Sequence, residues 1–88
     1  MAILLKVASI LQQFTGDKET VEVSGATVRE CLEDLIKKYP ETRRWLFDAN
    51  NSPVVWVLLN KEVVMPEDNI KPVKDGDQLD LFPMVAGG

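Results

Sequence analysis

With 88 residues, 45% of them hydrophobic and 27% charged, the chain has the composition of one soluble globular domain and not of a disordered tail. Its formal charge of −4 is concentrated in residues 51–88, where Glu62, Glu67, Asp68, Asp75, Asp77 and Asp80 outnumber Lys61, Lys71 and Lys74. Such a surface repels phosphates, which argues against nucleic acid and favours a basic protein partner.

There is no histidine, and Cys31 is the single cysteine. This removes the commonest base at neutral pH, the Ser-His and Cys-His nucleophile pairs, an internal disulfide and the usual metal-ligand sets. Neither catalysis by this chain alone nor a bound metal is expected. The longest apolar run, Val54 to Leu59, is far short of the ~20 residues that cross a bilayer. Met1-Ala2-Ile3-Leu4-Leu5-Lys6 lacks the features of a secretory signal, so a cytoplasmic location without membrane attachment is expected.

In chain order, Ile3, Leu5 and Val7 alternate with Leu4, Lys6 and Ala8, predicting a first strand with one strongly apolar face. Gln12 to Lys18 reads as a loop. Val21 and Val23 alternate within Thr20 to Ser24, predicting a second strand that pairs with the first as a hairpin. Thr27 and Glu30 have capping-box spacing, and Val28, Leu32, Leu35, Ile36 and Tyr39 then recur on one helical face until Pro40 stops the helix. Glu41 to Asp48 suggests a further short helical turn around Trp45 and Leu46.

Val54 to Leu59, rich in β-branched residues, predicts a strand inside the sheet and buried on much of both faces. Asn60-Lys61 turns the chain into Glu62 to Met65, and Pro66 to Lys74 is mostly loop. Asp75-Gly76-Asp77 signals a turn before the alternating strand Gln78 to Phe82. One helix is left to cover one face of a mixed sheet of four or five strands, an α+β arrangement of the β-grasp kind. Residues 1–83 form the domain and residues 84–88 a flexible diglycine tail.

The last strand runs almost directly into Pro83-Met84-Val85-Ala86-Gly87-Gly88. Glycines without Cβ atoms can thread a narrow channel, so such an end can deliver its own carboxylate to a partner's active site. Two terminal glycines also arise by chance in roughly 0.5% of chains at average glycine usage, so their weight comes from the strand preceding them. If Leu79 and Leu81 point inward, Asp80 and Phe82 face the other way. Phe82 is then a candidate partner contact, set against the alternative of covering a core edge. Pro83, Met84 and Val85 are weaker contact candidates.

Asp75-Gly76-Asp77, Leu79 to Gly88, the first strand, Phe14-Thr15-Gly16, Val23-Ser24-Gly25 and the helix from Thr27 together resemble the MoaD/ThiS family of ubiquitin-like sulfur carriers. The resemblance implies that Gly88 is adenylated by an ATP-using partner resembling the ubiquitin-activating enzymes. The adenylate is then converted to a thiocarboxylate that passes sulfur to a synthase, with Gly87 and Ala86 threading into the partner. It implies that ATP is the partner's cofactor and that this chain binds none, in keeping with the lack of a Gly-x-x-x-x-Gly-Lys loop. Molybdopterin synthesis, with the chain as small subunit of the synthase, is the first destination it suggests, with cysteine close behind and thiazole less fitting. A protein modifier joined through Gly88, or a passive interaction module, are the readings from other classes.

One departure from the family is Lys61, where many relatives place glycine. Cys31 is expected to be a buried packing residue, Trp45 and above all Trp56 core packing aromatics against the alternative of recognition aromatics, and Lys37, Lys38, Arg43 and Arg44 a solvated basic face.

Overall fold

The computed structural model describes residues 2–52 and 54–83. The expected tail, Met84, Val85, Ala86, Gly87 and Gly88, lies outside the described residues.

Strand β1 (Ala2–Lys6) pairs antiparallel with β2 (Thr20–Ser24), register Ile3 with Val23 and Leu5 with Val21. The alternation read from the sequence is the burial pattern: Ile3, Leu5, Val21 and Val23 are buried while the residues between them are exposed. Between the two strands the expected loop appears from Gln13 on, behind an element that the sequence does not signal. A single helical turn, α1 (Ser9–Gln12), precedes it and sinks Leu11 completely into the core. No side chain caps α1, and one turn is too short for a period to register.

Helix α2 (Val28–Lys38) starts at Thr27, whose hydroxyl accepts from the Glu30 backbone N–H at 3.2 Å. The reciprocal half of the box is shifted, since Glu30 Oε1 accepts from the Ala26 N–H, at 2.9 Å, instead of that of Thr27. Val28, Cys31, Leu32 and Leu35 bury one face of the helix. Gly25 lets the chain pass close to the first turn, because a Cβ there would stand 2.8 Å from the Cys31 nitrogen. After Pro40 a 3-10 turn (Pro40–Thr42) leads into the short α3 (Arg43–Leu46), which seats Leu46 in the core.

Strand β3 (Val55–Leu59) and β4 (Glu62–Val64) form an antiparallel hairpin, and β5 (Gln78–Pro83) enters between β1 and β3. The order is β2-β1-β5-β3-β4, with β1 and β5 parallel and every other pair antiparallel. The last strand in sequence is therefore the middle strand of the sheet. Its Leu79 and Leu81 are 0% and 1% exposed and join the same core as Val28, Leu32 and Leu35 of α2. Burying each contributes about 1.5–3 kcal/mol.

Candidate functional site

The site is built on β5, where the residues that alternate with Leu79 and Leu81 point away from the core. On that open face, sheet register sets Phe82 beside Trp56, and Asp80 between Lys6 on β1 and Leu58 on β3. Leu58 in turn stands beside Val63 of β4, and Leu4 beside Gln78. Phe82 is 50% exposed, and Leu4 and Val63 are likewise open to solvent, so the face carries an apolar patch of the kind that marks contact surfaces. Phe82 thus stands half-exposed on the face turned away from the core.

Trp56 corrects the packing expectation. Val55 and Val57 take the core, and Trp56 stays half-buried on the open face against Phe82. The period-two rule that placed Phe82 outside applies equally to Trp56, but an unbroken apolar run hides it. β3 is thus buried on one face only.

Asp80 is the residue that sequence reasoning passed over. It is only 7% exposed despite standing on the open face. Its Oδ1 accepts from Gln78 Nε2 at 2.9 Å, and its Oδ2 has the Lys61 ammonium at 3.7 Å. A cleft of about 200 Å³ beside it is bounded by Lys6, Ala8 and Gln12 opposite Asp80 and Phe82.

Lys61 reaches Asp80 from a two-residue turn in which Asn60 (φ 51°) and Lys61 (φ 75°) are both left-handed. That is the type I′ geometry, which matches the sheet twist and favours Asn-Gly. The strain of Lys61 is held by a network around Asn60. Its Oδ1 accepts from the Gln78 N–H at 3.0 Å and its Nδ2 donates to Asp77 Oδ1 at 3.0 Å. Asp77 Oδ2 also accepts from the Lys74 N–H, at 2.9 Å. The Asn60 hydrogen bond, then that from Lys74, hold the Asp77 carboxyl below the usual aspartate range. Gly76, at φ 91°, completes the turn that feeds β5.

Of the remaining sequence-predicted residues, Pro83 closes β5 with its backbone opposite Val55. Met84, Val85, Ala86, Gly87 and Gly88 lie outside the described residues. Cys31 is fully buried, and burial, then the charges of Asp34 and Glu30, push its thiol up to about 11, so it stays protonated and inert at neutral pH. Trp45 is half-buried and stacks at a tilt on Phe14, centroids 6.1 Å apart.

The basic cluster is partly tied into the fold: Lys38 pairs with Asp34 at 3.3 Å and Arg43 donates to Asn51 Oδ1 at 2.8 Å. A larger hollow, about 590 Å³, adjoins Phe14, Pro40, Arg43, Arg44 and Phe47, but Glu41 and Asp48 balance its arginines.

A five-stranded mixed sheet crossed on one face by one main helix is the β-grasp, the ubiquitin-like architecture. A profile of the ThiS family matches residues 5–88. Sulfur carrier protein CysO of Mycobacterium tuberculosis is 28% identical over the full length of both chains. Among solved structures, small archaeal modifier protein 1 of Haloferax volcanii superposes with a TM-score of 0.83 at 27% identity, covering 96% of this chain and 98% of that one. A chain of the BexX/CysO complex of Amycolatopsis orientalis does so with a TM-score of 0.79 at 32% identity, covering 99% and 100%. The chain belongs to the ThiS family.

Proposed function

We propose that this protein is a non-catalytic sulfur carrier whose reactive group is the Gly88 carboxylate. An oxygen of that carboxylate attacks the α-phosphate of ATP on an adenylating enzyme, and pyrophosphate leaves. A hydrosulfide equivalent then displaces AMP, so that a C–S bond replaces the C–O bond to phosphate and a thiocarboxylate results. A synthase takes the sulfur. The open face of β5, with Phe82 and Trp56, docks the partner, and Pro83 to Gly88 extend from it toward the active site, Gly87 and Ala86 passing the narrowest part.

The observation that carries this reading is the family match running through Gly88, on a chain whose central strand ends at Pro83, shortly before the diglycine ending in the sequence. The likeness to sulfur carrier proteins called CysO supports the cysteine destination, and the complex of one with BexX supports a protein acceptor. Incubation with ATP, the adenylating enzyme of the same cell and a sulfide source is expected to replace one oxygen by sulfur at the terminus, read by intact-protein mass spectrometry. Removal of Gly87 and Gly88 abolishes the change. An unaltered mass for the full-length chain overturns the proposal.

The likeness to a small archaeal modifier protein favours one second reading, conjugation of Gly88 to lysines of other proteins. It predicts isopeptide-linked adducts in cell extracts that disappear with the same deletion.

A further inference from the structure

The open face of β5 is apolar around Phe82, Trp56, Leu58 and Val63, yet a carboxylate stands within it. Asp80 is more than nine-tenths buried, a setting in which a charge must be paired and hydrogen-bonded. Its pairing is incomplete. Oδ1 has one hydrogen bond, from Gln78, and among the described residues Oδ2 has only the Lys61 ammonium, at 3.7 Å, beyond hydrogen-bond length. Lys61 is itself 73% exposed, so water competes for it and the ion pair contributes little. On the other side, sheet register puts Lys6 next to Asp80, but Lys6 forms no ion pair with it.

We propose that Asp80 is a specificity-determining residue of the docking face, which receives an arginine of the adenylating enzyme, with Lys61 as its stand-in while the carrier is free. This rests on the sulfur-carrier reading above. Two features select that occupant. A guanidinium offers two parallel N–H donors, matching a carboxylate with unused acceptor capacity. Its weak hydration lets it enter an apolar surround that a second carboxylate or an unpaired amide would find costly. Docking removes the water that weakens the pair in the free chain, so the attraction grows as Phe82 and Trp56 are covered. A partner with a neutral or acidic group at that point is rejected, because it leaves the carboxylate buried and unpaired.

The test follows pyrophosphate exchange by the adenylating enzyme as carrier concentration is varied. Asp80→Asn keeps the size and the hydrogen bond from Gln78 and removes only the charge. It is expected to raise KM for the carrier at least about tenfold, with kcat within about twofold of the parent. Lys61→Gln frees Asp80 and is expected to leave KM unchanged or lower it by about twofold. The unfolding midpoint of each variant is measured alongside, to separate docking from folding.

An Asp80→Asn carrier with the parent's KM overturns the inference while the carrier function stands. So does a Lys61→Gln carrier with KM raised as much as that of Asp80→Asn, since the pair then shapes the face from within. If the unmodified carrier supports no exchange at all, the functional reading fails first and this inference falls with it.

Discussion

The two faces of β5 meet opposite surroundings. Leu79 and Leu81, on one face, are sealed in the core that α2 shares, while Asp80 and Phe82, one residue away on the other, stand against Lys61 and Trp56. Packing density governs the first pair, and the second has no partner element to satisfy. The period of two lets one strand anchor the domain through one face and leave the other open.

The sharpest way to break that division is to truncate each face in turn. Leu81→Ala is expected to cost about 2–5 kcal/mol, read by urea denaturation. Phe82→Ala, half-exposed, is expected to change stability by no more than about 0.5 kcal/mol while weakening exchange with the adenylating enzyme. Equal stability losses would mean that the faces are not separate.

A smaller effect is expected from the turn that feeds β5. Because hydrogen bonds depress the Asp77 carboxyl in the folded chain, it adds stability at pH values above its unfolded pKa, about 4. That contribution is lost as pH falls through the lower folded value. Asp77→Asn therefore destabilises at pH 7, and its gap from the parent narrows toward pH 3, with urea midpoints at both pH values as the measurement. A gap independent of pH would contradict the assignment. The smallest expected effect is a gain: Lys61→Gly relieves a left-handed lysine and is expected to raise stability by about 0.5–1 kcal/mol, seen in the thermal midpoint.

Much of this is legible in the sequence. The period-two runs of β1, β2 and β5, the Thr27 start of α2, the Pro40 stop and the Asn60-Lys61 turn are local signals, and each appears where the residues place it. Two local features escaped. α1 is one uncapped turn, and Trp56 lies in an apolar run whose alternation cannot be seen when both faces are hydrophobic.

The sequence by itself determined most of the elements, the inward face of β5 and the family to which the diglycine ending points, since all three are written in neighbouring residues. Only the tertiary structure decided that the last strand is the central one and that Asp80, Lys61, Gln78 and Leu58 share one spot. Pairing between strands joins residues far apart in the chain, and periodicity tells which way a side chain points but not what stands beside it.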